Sequence, residues 1–156
     1  MKFLHINLIP FLIFFSISTI AQIATVTKTP LLSLGESSCR ALTIGPNDEY
    51  LITAIGKDIF VWDIEEESIV KHLKGHQESV ASLAISKTGR FLVSGSGDNT
   101  VKLWDMKSGQ TINTFRGHEA QVSAVDISPD EQYILSGSFD KTAKIWHLNT
   151  GRLHTT

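Results

Sequence analysis

From residue 75 onward the chain alternates short apolar, β-branched runs with clusters of turn residues. In the stretch 75–116 the runs are Val80–Ile85, Phe91–Ser96, Thr100–Asp105 and 111–115, broken by Lys87-Thr88-Gly89, Gly97-Asp98-Asn99 and Lys107-Ser108-Gly109. Runs of this length, rich in Val, Ile, Thr and aromatics, predict strands rather than helices. The first run of each set, Val80–Ile85 and again Val122–Ile127, is small and apolar on both faces. That pattern predicts innermost strands packed between neighbours on either side.

The front of the chain follows a different pattern. Met1 and Lys2 precede an apolar stretch over 3–20, and Thr19-Ile20-Ala21 places small residues at the two positions a signal peptidase reads. Residues 1–21 are therefore expected to be an export signal, cleaved between Ala21 and Gln22. A retained membrane anchor needs about 20 mainly apolar residues, and here His5, Asn7, Pro10, Ser16, Ser18 and Thr19 interrupt the run. No Cys follows closely enough for lipid attachment, so the expected body, 22–156, works outside the cytoplasm, periplasmic or extracellular, with no membrane association after signal removal.

A long period organises that body. Trp62, Trp104 and Trp146 are spaced 42 residues apart, and Gly75-His76/Gly117-His118, Ser94/Ser136, Asp98/Asp140 and Gly109/Gly151 keep the same interval. Four strands in about 40–45 residues is the blade of a β-propeller. The expected fold class is all-β, a partial β-propeller of about three four-stranded antiparallel blades. The units are about 35–74, 75–116 and 117–156, the last incomplete. Ala24-Thr25-Val26 and Leu31-Leu32 could supply an extra strand at the front.

Charge and composition narrow the function. The chain is 42% hydrophobic, but 14 of the first 21 residues are apolar, so the body is more polar than the total suggests. Without Lys2 the body holds 13 basic against 16 acidic groups, the wrong sign for an electrostatic nucleic-acid binder. The single Cys39 has no partner for a disulfide, zinc or redox motif, and reads as a buried or idle thiol.

The motifs together carry a resemblance. Gly75-His76 and Gly117-His118, Ser94-Gly95-Ser96 with Asp98, Ser136-Gly137-Ser138 with Asp140, and the strand endings Val61-Trp62-Asp63, Leu103-Trp104-Asp105 and Ile145-Trp146-His147 make residues 35–156 resemble the WD-repeat β-propeller family. The resemblance implies that His76, Ser94, Asp98 and Trp104 form one hydrogen-bonded structural tetrad within a blade, and His118, Ser136, Asp140 and Trp146 a second. Each member would satisfy another's buried polar group. Ser, His and Asp together also suggest a nucleophilic triad, but the set recurs in successive units and includes Trp, as a structural device does.

The first unit departs from the pattern. Thr53 and Trp62 remain as partial equivalents, the tight-turn Asp is missing beside Gly56-Lys57, and Gly35-Glu36 replaces Gly-His, so this unit lacks at least two of the four tetrad members and its outer surface is expected to be looser. His147 stands where the repeat's second signature letter would be Asp, a position that tolerates change. His5, His72 and His154 make no metal spacing and are expected to be solvated or idle. Glu65-Glu66-Glu67 reads as a solvated turn, with a cation or basic partner as the weaker alternative. No phosphate-cradling loop appears. No catalytic, cofactor or metal residues are expected.

Three blades fall short of the four to eight of closed rings, so a blade face is expected to be open at each end. Copies could then associate edge to edge, a homo-oligomer closing a ring; a truncated gene product needing self-association is the rival. The expected function is a non-catalytic scaffold that binds a protein or peptide. The alternative is a sensor or docking fragment of a larger exported enzyme or complex.

Overall fold

The computed structural model describes residues 38–156. The export-signal reading of 1–21, the front strand at 24–32 and the Gly35-Glu36 pair lie outside the described residues. Twelve strands follow one another in the described part: β1 (Cys39–Ile44), β2 (Tyr50–Ile55), β3 (Asp58–Asp63), β4 (Ser68–Leu73), β5 (Val80–Ile85), β6 (Phe91–Ser96), β7 (Thr100–Asp105), β8 (Thr111–Arg116), β9 (Val122–Ile127), β10 (Tyr133–Ser138), β11 (Ala143–His147) and β12 (Leu153–Thr155). They form three four-stranded antiparallel meanders in sequence order, three blades as the period predicts. The three strands expected first in the middle unit begin and end where the runs do, and β8 extends one residue further.

Each blade is joined to the next by an apolar seam. Between blades 1 and 2, Ile52, Ala54, Ile59, Val61 and Leu73 meet Val80, Leu92 and Trp104. Between blades 2 and 3, Phe91, Val93, Val101, Leu103 and Phe115 meet Val122, Ile127, Ile134, Trp146 and Leu148. Backbone and side-chain bonds stitch the seams: Val80 N–H donates to Gly56 O at 2.8 Å, and Val125 N–H donates to Ser82 Oγ at 3.1 Å. In every blade the ladder shifts register beside the signature Trp, at Val61/Trp62, Leu103/Trp104 and Ile145/Trp146. Such an irregularity bends the strand and re-aims the side chain.

Among the described residues only the middle blade has a neighbour on both faces, and burial follows from that. Every residue of β6 is buried, whereas its repeat equivalent β10 alternates with Leu135 exposed. The expectation that the first strands are packed on both sides fails for β9: Ser123, Ala124 and Asp126 are exposed, because no fourth sheet of the described chain covers them.

Candidate functional site

The tightest polar constellation lies inside blade 2. His76 precedes β5, Ser94 lies mid-β6, Asp98 sits in the β6–β7 turn and Trp104 near the end of β7. Asn99, the turn's last residue, has φ +64°, the left-handed conformation that Asn tolerates better than most residues. This turn holds the Asp98 carboxylate over the start of the blade. Its Oδ2 lies 2.8 Å from His76 Nδ1 and accepts from Gln77 N–H at 2.9 Å. Its Oδ1 accepts from Thr100 N–H at 3.0 Å and from Thr100 Oγ1–H at 2.6 Å. On the far side of the ring, His76 Nε2 lies 2.8 Å from Ser94 Oγ, which also accepts from Trp104 Nε1–H at 2.8 Å.

Those partners fix the protons. The carboxylate can only accept, so neutral His76 carries its hydrogen on Nδ1 and accepts at Nε2 from the Ser94 hydroxyl. Trp104, Ser94 and His76 thus donate in one direction, toward the charge on Asp98. Blade 3 repeats the arrangement: His118 Nδ1 to Asp140 Oδ2 is 2.7 Å, His118 Nε2 to Ser136 Oγ 2.8 Å, and Trp146 Nε1–H donates to Ser136 Oγ at 2.9 Å. The structure thus brings each set of four residues together in one hydrogen-bonded chain. Among the described residues no buried side-chain nitrogen or oxygen lacks a partner.

Electrostatics agree with the geometry. Burial disfavours the Asp98 charge, but the bonds from Thr100, Gln77 N–H and His76 outweigh it and hold the carboxyl at about 2. Asp140, against the same opposing burial, is held well below the usual carboxylate range by Thr142, His118 and Glu119 N–H. Burial lowers the His76 pKa below its ordinary 6.5, with Asp98 pulling the other way.

The order Ser, His, Asp is that of a hydrolase triad, yet the serine has no role left to fill. Ser94 is 0% exposed, and its oxygen already receives the indole N–H. A substrate carbonyl has no path to it.

Blade 1 keeps half of this network. Trp62 Nε1–H donates to Thr53 Oγ1 at 2.9 Å. His72, expected to be solvated or idle, is exposed, and its Nε2 lies 3.0 Å from Asp58 Oδ2 while its ring stacks on Phe60 at 4.3 Å. The strand-to-strand register puts Phe60 opposite His72, where blade 2 pairs Lys102 with Thr114. His154 is exposed as well and packs 5.3 Å from Tyr133 and 5.1 Å from His147. Cys39 is half-buried, and its thiol donates to Ala41 O at 3.3 Å.

Two pairs of residues in the networks were given no role in them from the sequence. Thr100 and Thr142 give the Asp carboxylates their shortest bonds in blade 2 and a bond as short as any in blade 3, at 2.6 and 2.7 Å, and Ser96 and Ser138 tie the same turns to Glu78 O and Ala120 O at 2.9 Å. Both pairs keep the 42-residue interval, which is the signal that would have found them. The signature Asp105 lies outside the tetrad: its Oδ1 accepts Ser108 N–H at 2.7 Å and closes the β7–β8 turn. Asp63 does the same for Glu66 N–H at 2.8 Å. Among the described residues no group of His, Cys, Asp and Glu is arranged to hold a metal ion.

Three meandering four-stranded sheets stacked side by side, each pinned by its own Trp, define an arc of β-propeller blades. The family model "WD domain, G-beta repeat" matches residues 67–105 and 109–147, and the chain belongs to the WD40 repeat family. Over 88 residues, 54% of the chain, it is 35% identical to the transcription factor unc-37 of Caenorhabditis elegans, of which it spans 14%. It is 35% identical over 66 residues to an intraflagellar transport protein 122 homolog of Xenopus tropicalis, covering 42% of the chain and 6% of that protein. Over 72 residues, 46% of the chain and 10% of the relative, it is 32% identical to protein groucho of Drosophila melanogaster. Among solved structures, that of U3-55K superposes with a TM-score of 0.75 at 25% identity, over 80% of this chain and 40% of that one. The RRP9 WD40 repeats give the same TM-score and identity over 80% and 39%. The chain thus spans a small part of the curated relatives and about two fifths of the solved propellers.

Proposed function

We propose that this WD40 repeat region is a non-catalytic scaffold that binds a protein or peptide partner. The observation that carries this reading is the occupancy of Ser94 and Ser136, whose oxygens are shared between an imidazole and an indole in the blade interior. The residues with catalytic chemistry hold the blades in shape, which leaves the surface between and around the blades for recognition. Two measurements test it. A serine-reactive fluorophosphonate should leave both serines unmodified, and the tagged chain, isolated from its own cells, should carry a stoichiometric polypeptide partner. Labelling of Ser94 or Ser136, or isolation without any such partner, overturns the reading.

Association between copies is a second reading, favoured by the open blade faces. On blade 1, Leu42 is 65% exposed and Ile44 and Ile69 are each 50% exposed; on blade 3, Leu135 is 42% exposed. Leu135 is the repeat equivalent of Val93, which is fully buried at the seam between blades 2 and 3. A face built on that pattern receives another blade, and blade 1 of a second copy offers one. Sedimentation of the purified protein should show dimers or larger rings; a folded monomer at every concentration removes the idea.

Export is part of the same proposal and rests on the positive start, the apolar run and the small residues ending at Ala21. Protein recovered from outside the cytoplasm should begin at Gln22 by mass spectrometry. A chain that retains Met1 there, or is confined to the cytoplasm, refutes it.

A further inference from the structure

The two seams are built alike but close differently at one end. Between blades 2 and 3, Phe91 and Ile127 are each only 8% exposed and Leu148 is buried beside them. The loops above are latched: Glu131 Oε1 accepts from Thr88 N–H at 3.1 Å and from Thr88 Oγ1–H at 2.7 Å. Between blades 1 and 2 the repeat equivalents are Tyr50, Ile85 and Met106. Tyr50 is 38% exposed, and Ile85 and Met106 are half-buried. The latch is absent there, because Gly89 stands where Glu131 stands in the next blade and Asn47 where Thr88 stands. A cleft of about 500 Å³ opens as a result, within the range of ligand sites.

The cleft has an apolar floor and a cationic rim. Tyr50, Val61, Val70, Ile85 and Met106 line the floor, while Lys71, Arg90 and Lys107 border it, against the single carboxylate of Glu49. The Arg90 guanidinium lies 4.7 Å over the Phe91 ring, and its charge is felt by Asp105 and Glu131. Neither Lys71 nor Lys107 takes part in an ion pair among the described residues. On a chain that is net negative overall, −2, this is a local reversal of sign over an apolar surface.

We propose that this cleft binds an extended acidic peptide segment of a partner protein, seating one or two large apolar side chains between blades 1 and 2 with flanking carboxylates on Lys71 and Lys107. The proposal rests on the scaffold reading and specifies its site. The apolar anchor supplies desolvated contact area, and the lysines select the sign of the flanks and the direction of approach.

The test is fluorescence anisotropy of the full chain with a labelled peptide, Glu-Asp-Leu-Phe-Asp-Glu, and its charge-reversed form, Lys-Lys-Leu-Phe-Lys-Lys. The acidic peptide is expected to bind at least tenfold more tightly than the basic one. The double variant Lys71→Glu/Lys107→Glu should invert that preference, and Val70→Asp, which charges the floor at an already exposed position, should weaken the acidic peptide at least tenfold; far-UV circular dichroism checks that both variants fold. No binding by the unsubstituted chain, equal binding of both peptides, or affinity untouched by either variant would overturn the proposal. Isolation of the double variant from cells separates the two readings: a stoichiometric partner still present with the cleft reversed removes the cleft and leaves the scaffold.

Discussion

Gly95 in β6 approaches Val122 in β9 so closely that a Cβ on Gly95 would lie 2.7 Å from Val122 Cγ1, with Val125 Cγ1 at 2.9 Å. Blade 3 seats its first strand against bare backbone at this point. The repeat equivalent Gly137 has only Ala124 Cβ of its own blade at 3.8 Å. Gly95→Ala is therefore expected to destabilise by about 1–3 kcal/mol through overpacking, while Gly137→Ala changes the stability of a monomer by less than about 0.5 kcal/mol. Urea unfolding of the two variants checks the contrast. If copies stack on blade 3, Gly137→Ala also weakens their association, which sedimentation reads separately.

Asp98 gathers donors from His76, Gln77 and Thr100. Alanine in its place orphans them within a largely buried turn, and the expected loss is about 1–3 kcal/mol. Ser94→Ala should cost a similar amount, because it strands both an imidazole nitrogen and an indole N–H. Thermal unfolding followed by Trp fluorescence measures each. An unchanged melting temperature would show the tetrads to be ornamental to the fold.

Stability should fall with acid in two windows. The His76 pKa is lowered in the folded state, so below about 6.5, its ordinary value, the unfolded chain takes up a proton that the native ring resists, and stability declines as pH falls. Asp98 is held at about 2 against an ordinary 3.8, so its contribution is present above 3.8 and is lost as pH drops from there toward 2. Asp140 acts in the same direction. In both windows the unfolded state binds more protons, which makes the slope positive with pH. Urea midpoints measured from pH 8 to pH 3 test this; His76→Gln should remove part of the upper window and leave the lower one.

Glu67 takes φ +51° where the matching turns use Gly109 at +72° and Gly151 at +71°. A side chain in this conformation costs about 1 kcal/mol, partly offset by the extra freedom glycine has when unfolded. Glu67→Gly is expected to raise stability by a few tenths to about 1 kcal/mol. A calorimetric melting temperature at or below that of the parent would contradict it.

Much of this was legible in the chain itself. Turn residues and β-branched runs marked the strands, and the 42-residue return of Trp104 and Trp146 marked the blades. The tetrads were legible through the family resemblance that the Gly-His, Ser-Gly-Ser, Asp and Trp motifs carry together. His72 was not legible: its partner Asp58 lies fourteen residues away in sequence, and only the pairing of β3 with β4 brings them to 3.0 Å.

What local sequence determined is each blade's internal order, since strand length, turn conformation and tetrad bonding depend on contacts within about 40 residues. What tertiary structure decided is which of the near-equivalent surfaces are used. Phe91–Ser96 and Tyr133–Ser138 have nearly the same pattern, yet the first is buried throughout and the second is half open, because burial depends on whether another sheet lies alongside. The cleft has the same origin: Gly89 in place of a second glutamate means little in the sequence, and only the apposition of two blades turns the missing latch into a cavity.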